Sequence, residues 1–278
     1  MKLEIGKVHQ LPVIKFTDFG AYLLFNEKEI LIPMKYIPTD ARVGSNLEVF
    51  VYRDSEDRLI ASTHKPIVMV GEFANLKVKQ ATPIGAFLDW GLEKDLFVPF
   101  REQQSKMEEG KHYIVGVTID ELTERIIGSA KVNKFLKHED VDLQEGQQVD
   151  ILVSKFTEMG ANVIINNLYW GLIYKNEIFS KLAVGDRTIG YVKKLREEGK
   201  IDISLQKQGV GSIDDNTAFL LEKLKQNKGV LKLSDNSAPE EIYAQLGISK
   251  KLFKKALGNL YKQRLVDISG DEIKLLTA

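Results

Sequence analysis

Aromatic and basic side chains recur at fixed offsets from a Gly-Ala pair, a pairing with a definite chemical use. A flat ring stacks on an unstacked nucleobase while a nearby cation holds the adjoining phosphate. Around Gly20-Ala21 the candidates are Lys15, Phe16, Phe19 and Tyr22. Around Gly85-Ala86 the downstream ring persists as Phe87, with Gln80 and Ala81 at the upstream places. Around Gly160-Ala161 the upstream pair persists as Lys155 and Phe156, and Asn162 replaces the downstream ring. Later in that third stretch Lys193, Lys194 and Arg196 read as a basic loop, and further on Lys250, Lys251, Lys254 and Lys255 are candidate phosphate contacts. Core packing is the competing use of any one of these rings, and a solvated face that of the lysines.

The Gly-Ala pair belongs to a longer repeat. It is followed by an apolar run (Leu31-Ile32-Pro33, Phe97-Val98-Pro99, Leu172-Ile173-Tyr174), then by a glycine (Gly44, Gly110, Gly185), then by a basic residue four before a serine (Arg58 to Ser62, Arg125 to Ser129, Lys200 to Ser204). Register held at so many points marks repeated structural units. Within each unit the period is that of strands: Leu47, Val49 and Val51 alternate with Glu48, Phe50 and Tyr52, and Asn166-Asn167 is a hairpin-turn signal. Five short strands per unit, with a longer irregular stretch before the fourth, predict a closed Greek-key barrel of OB type. On an ideal strand Phe19 and Tyr22, three apart, fall on opposite faces unless a bend or bulge intervenes.

After about residue 212 the grammar changes. A helix over 217–227, a short strand at Val230 to Leu233, a helix opened by Pro239 and closed at Gly247, and a helix capped by Ser249 and ending near Gln263 come in turn. A hairpin turning at Gly270-Asp271 follows. That is the order of a winged helix-turn-helix. Its third helix sets Leu252, Phe253, Ala256, Leu257, Leu260 and Tyr261 on one side, and Lys250, Lys251, Lys254, Lys255 and Lys262 on the other. The expected fold class is mainly β with a C-terminal α+β part. Three tandem five-stranded barrels occupy 1–66, 67–138 and 139–212, and the winged helix 213–278.

Composition narrows the function. The 278 residues carry 39 basic and 39 acidic side chains, a net charge of zero, so nucleic-acid binding must come from local patches and stacking rather than bulk charge. With no cysteine there are no disulfides, thiolate metal sites or cysteine nucleophile, and the cytoplasm is the simplest compartment. No apolar run has the length of a membrane span, and no membrane association is expected. His9, His64, His112 and His138 are scattered without metal-ligand spacing, so neither a metal nor a cofactor is expected. The stretch Gly185 to Gly190 has the first spacing of a phosphate loop but continues with Tyr191-Val192 where Lys and Ser or Thr are needed, and Gly209-Val-Gly211 lacks its third glycine. The chain does not read as an enzyme.

The repeat resembles the RNA-binding domain named after ribosomal protein S-one, whose second strand carries aromatic, glycine, alanine, aromatic. Phe19-Gly20-Ala21-Tyr22 matches throughout, Ile84-Gly85-Ala86-Phe87 in its second ring, and Met159-Gly160-Ala161-Asn162 in neither ring. A histidine common in that domain within the apolar run is replaced by Pro33, Pro99 and Tyr174. Three such barrels followed by a winged helix resemble the bacterial conserved virulence factor B family. The resemblance implies a cytoplasmic protein that binds single-stranded RNA and regulates gene expression after transcription. Two alternatives stay open: a DNA-binding transcription regulator acting through the winged helix, and a scaffold whose barrels bind protein partners.

Overall fold

The computed structural model describes residues 3–54, 56–178, 181–206 and 213–276. The Gly209-Val-Gly211 run falls outside the described residues, and the first helix, expected over 217–227, already begins at Ile213. The chain divides into two compact units, Met1–Leu136 and Lys137–Ala278.

The first unit holds two five-stranded sheets. One comprises β1 (Val8–Thr17), β2 (Gly20–Phe25), β3 (Lys28–Pro33), β4 (Asn46–Arg53) and β5 (Leu59–Ser62). It closes in the order β1-β2-β3-β5-β4, with a parallel step that sets Leu31 opposite Ile60. The other comprises β6 (Phe73–Thr82), β7 (Gly85–Leu88), β8 (Leu96–Pro99), β9 (His112–Ile119) and β10 (Ile126–Ser129), in the order β10-β9-β6-β7-β8. Closure was expected here too, but the ladder ends on β8 and β10. These strands meet through side chains: a Cβ on Gly128 would lie 2.7 Å from Val98 Cγ2 and 3.0 Å from Leu96 Cδ2.

The alternation in β4 breaks at Phe50, which lies on the outward face yet is fully buried. It belongs to the core of the second barrel, with Val68, Leu76 and Trp90. Its ring is 5.8 Å from Trp90, edge-on, and 5.8 Å from Tyr52, stacked. Barrel one keeps its own core around Val13, Leu23 and Ile32, and Phe50 ties it to the core of barrel two, a contact that suits two barrels near the lower size limit for independent folding.

The second unit opens with β11 (Gln148–Thr157), β12 (Gly160–Ile165), β13 (Tyr169–Tyr174), β14 (Arg187–Leu195) and β15 (Ile201–Ser204), again a closed barrel in the order of the first. Asn166 and Asn167 in its β12–β13 turn have φ of 49° and 55°, the left-handed conformation that asparagine tolerates. A winged helix follows: α1 (Ile213–Gln226), β16 (Val230–Leu231), α2 (Pro239–Leu246), α3 (Lys250–Lys262), β17 (Val266–Ser269) and β18 (Glu272–Leu275). Gly247 ends α2 at φ 68°, and the Ser249 hydroxyl accepts the Leu252 N–H at 3.4 Å to start α3. Phe253, Ala256, Leu257 and Leu260 are buried as expected, whereas Tyr261, expected on the same side, is 56% exposed.

The repeated residues have repeated jobs. A Cβ on Gly20, Gly85 or Gly160 would collide with the carbonyl oxygen of Ile32, Val98 or Ile173 on the next strand. The alanines beside them, Ala21, Ala86 and Ala161, fill the barrel interiors. Gly44, Gly110 and Gly185, with φ of 88°, 77° and 95°, donate their N–H to Val13, Val78 and Val153 at 2.8, 2.9 and 2.8 Å. Ser62, Ser129 and Ser204 are buried and accept the N–H two residues on, at 3.0, 3.1 and 3.1 Å.

Candidate nucleic-acid interface

Each barrel presents the same irregular hairpin. In the first, pairing passes from Val13 opposite Leu23 to Lys15 opposite Tyr22, leaving Ile14 as the extra residue of a bulge. The same slip falls at Lys79 in the second barrel and Ser154 in the third. The turn is tied by a threonine: Thr17, Thr82 and Thr157 donate Oγ1 to the carbonyls of Gly20, Gly85 and Gly160 at 3.1, 2.9 and 3.2 Å. These threonines, three before each glycine, are a further repeated position of the sequence.

That turn removes the difficulty over Phe19 and Tyr22. Phe19 stands between the two strands, where alternation does not apply, and its ring meets Tyr22 edge-on with centroids 6.4 Å apart. Lys15 Nζ sits 4.5 Å from the centre of the Tyr22 ring and 2.6 Å from Glu29 Oε2. Phe19 is 59% exposed, so barrel one carries an accessible cluster of two rings and a cation. Phe16, also exposed, opposes Ala21 rather than Tyr22, which puts it on the other face from Lys15.

The corresponding cross-strand rows differ in chemistry. Lys15, Tyr22 and Leu31 align in barrel one, and Gln80, Phe87 and Phe97 in barrel two. In barrel three the row is Lys155, Asn162 and Leu172, with exposed Met159 at the turn position. Phe97 was missed as a site residue. It opens the second apolar run, and cross-strand register brings its ring to 5.1 Å from Phe87, tilted by 36°. Phe156 is exposed and opposes Ala161, as Phe16 does Ala21.

The expected basic loop of barrel three is in fact mostly strand: Lys193 and Lys194 lie in β14, and Arg196 just follows it. Lys193 pairs with Glu177, and Arg196 binds Asp202 through Nε at 2.8 Å and Nη2 at 2.7 Å. The Asp202 hydrogen bond and charge raise the Arg196 pKa, and the guanidinium lies 5.7 Å from the Tyr174 ring centre. Lys194 is exposed. Tyr169 is buried and accepts the Asp142 N–H at 3.2 Å, a core role.

On α3, Lys251, Lys254 and Lys255 are exposed, and Lys254 Nζ is 3.9 Å from Asp235. Lys250 is turned toward the loop before α2, with Nζ 2.8 Å from the Ser237 carbonyl. Gly258, on the same helix, has open space where a Cβ would stand. Among the described residues no three His, Asp or Glu side chains gather as a metal site, and no helix is long and apolar enough to cross a membrane.

Residues 5–64 match the S1 domain, and residues 218–275 match the CvfB-like winged helix domain. The chain is 27% identical over 269 residues to Uncharacterized protein YitL of Bacillus subtilis, covering 92% of this chain and 89% of that one. It is 23% identical over 286 residues to Conserved virulence factor B of Staphylococcus aureus, covering 98% and 94%. Among solved structures, a multidomain protein with nucleic acid binding domains from Streptococcus pneumoniae is similar over 98% of both chains, at 21% identity and a TM-score of 0.41. The S1 and winged-helix types support nucleic acid as the class of ligand, and neither is an enzyme family.

Proposed function

We propose that this chain, which resembles the conserved virulence factor B proteins along nearly its whole length, binds single-stranded RNA through its barrels. The observation that carries the reading is the cluster of exposed Phe19, half-buried Tyr22 and exposed Lys15 on barrel one. Two rings offer stacking surfaces that tolerate any base, and Lys15, whose pairing with Glu29 is at the surface and therefore weak, can exchange that carboxylate for a phosphate. The second barrel adds Phe87 and Phe97, and the third only Lys155 and exposed Phe156. Lys194 is the accessible cation of the β14 end, since Lys193 and Arg196 are engaged by carboxylates.

Weak sites in tandem suffice, because a bound barrel holds its neighbour near the same strand at an effective concentration that reaches the mM range for short linkers. A cytoplasmic protein of this kind acts on transcripts after they are made, which is the regulatory role we assign. The exposed lysines of α3 favour a second reading, contact with duplex DNA through the winged helix.

Titration of the full chain with unstructured RNA, the same sequence as single-stranded DNA, and a DNA duplex, each over a range of salt, tests both. Tightest binding to RNA, with a shallow salt dependence reflecting few phosphate contacts, is the expected result. Preference for the duplex, abolished by charge reversal at Lys251, Lys254 and Lys255, would establish the second reading instead. No binding of any nucleic acid at low salt would leave a protein partner as the ligand.

A further inference from the structure

The first unit contains a cavity of about 550 Å³ between its two barrels. That is a small-molecule size, within the roughly 300–1,000 Å³ of typical ligand pockets. Phe87 and Phe97 line it from barrel two, and Tyr52 and Arg53 from the end of β4 in barrel one. Trp90 contributes a buried indole whose N–H is already taken by the Lys94 carbonyl at 2.6 Å, so it presents apolar surface. Burial pushes the Tyr52 pKa up to about 12, with Tyr36 nearby adding to the shift, so this phenol stays neutral.

The arginines around the cavity are matched by carboxylates, Asp95 is paired with Lys79 at 2.8 Å, and exposed Lys94 is the remaining cation of the lining. Arg53 pairs with Glu124 at 2.6 Å, Arg125 with Asp57 at 2.8 Å, and Arg101 with Asp120. An anion finds no uncompensated arginine among these three. Aromatic walls and paired arginines describe the complement of a neutral planar ring. The same Phe87 and Phe97 belong to the outer row of barrel two, so a strand lying on that row passes the cavity mouth.

We propose that this cavity takes a nucleobase: one base of the strand leaves the stack and inserts between the barrels, where Phe87 and Phe97 hold its face. The inference rests on the reading of the barrels as RNA-binding modules. It adds a site with defined walls, able to prefer one base, to surfaces that stack any base. It also gives the contact between the two barrels a functional reason, since one wall comes from each of them.

The ring can come from a strand or from a free nucleoside, and the test separates them. Isoleucine methyl groups of the full chain are labelled for NMR, because Ile84, Ile126 and Ile127 line the cavity. Adenosine or uridine is added in one arm, an unstructured RNA in another, and the same RNA without its bases in a third. Shifts of these three methyls with the intact RNA, absent with the base-free RNA, are expected. Weaker shifts with a free nucleoside identify the preferred base. Filling the cavity with Ile126→Trp should lower RNA affinity by about tenfold, one stacked base lost, with Phe19→Ala still weakening what binding remains.

RNA binding without movement of these methyls would overturn the cavity site and leave the barrel reading standing. Absence of RNA binding at low salt would remove the barrel reading itself. Shifts with nucleoside but not with RNA would sink insertion from a strand and make the cavity a nucleoside site. If Ile126→Trp does not fold, the methyl shifts of the unmodified protein still decide.

Discussion

Barrels one and three share a scaffold to the level of single hydrogen bonds. Both have the bulge, the threonine-tied turn, the glycine under a neighbouring carbonyl, the left-handed glycine before the fourth strand and the buried serine that ends the fifth. They differ where side chains leave the scaffold: Phe19 and Tyr22 in one are Met159 and Asn162 in the other. The 3-10 turn after the third strand also differs. Tyr36 there donates its hydroxyl to Glu93 of barrel two at 3.0 Å, while Glu177 at the same place pairs with Lys193 inside its own barrel. Backbone geometry restricts the first set of positions to one residue type. Nothing in the fold restricts the second set, so that is where the two barrels diverge in use.

The sharpest way to break the equivalence is at the shared glycine. Gly20→Ala and Gly160→Ala each place a Cβ against a strand carbonyl, and Gly160 adds a φ of 148° that other residues rarely adopt. Both should lose about 2–4 kcal/mol of stability by chemical denaturation, as overpacked and strained sites do. A loss in one barrel only would show that the common backbone does not impose a common constraint.

Next in size is the difference in use. Phe19→Ala combined with Tyr22→Ala should weaken RNA binding by about 10- to 100-fold, two stacking surfaces at the lower end of their usual worth. Met159→Ala with Asn162→Ala should change it by less than about threefold. The converse exchange, Met159→Phe with Asn162→Tyr, should recover part of the affinity lost by the double substitution in barrel one. Equal losses from barrels one and three would remove the proposed gradient.

Much of this was readable in the chain. Gly44, Gly110 and Gly185 mark the entry to the fourth strand of each barrel, Ser249 and Gly247 the ends of helices, and Gly270-Asp271 the tip of the wing, because each is a local backbone demand that few residues meet. What escaped the sequence depends on distant neighbours or on extra residues. Phe50 reads as the outward half of an alternating strand and is buried only because Trp90 comes from another barrel. Lys193 reads as a free cation until Glu177 is seen beside it. Phe19 defeated the period-two rule because it stands in the tight turn between β1 and β2 rather than in a strand, and Asp18 beside it does not signal that turn. Phe97 escaped for a related reason, since its partner is defined by register and not by spacing.

A smaller effect separates the repeated serines from ordinary buried hydroxyls. Ser62→Ala and Ser204→Ala each strand one backbone N–H, of His64 or Gln206, at the exit of a barrel. The expected cost is about 1 kcal/mol in each case. Ser129→Ala should cost more, because that hydroxyl also donates to Glu102 at 2.6 Å. Denaturation midpoints of the three variants check the ranking.

The smallest expected effect concerns the turn used between barrels in one case and within a barrel in the other. Hydrogen bonds from Lys35 and Tyr36 hold the Glu93 carboxyl below its ordinary value of 4.5. A depressed carboxylate adds stability above the unfolded pKa and loses it as pH falls through the lower folded value. The link between the first two barrels should therefore weaken only in acid, below the usual carboxylate range. Glu93 and Lys35 are exposed, so solvent screens the pair and the change in stability should be slight. The titration itself is the sensitive reading: by NMR the Glu93 carboxyl should have its midpoint below 4.5, and Lys35→Ala should move it back toward that value. A Glu93 midpoint already at 4.5 in the unmodified protein would mean that Lys35 and Tyr36 do not hold barrel two in solution. Barrels one and three would then differ in their stacking surfaces but not in the reach of this turn.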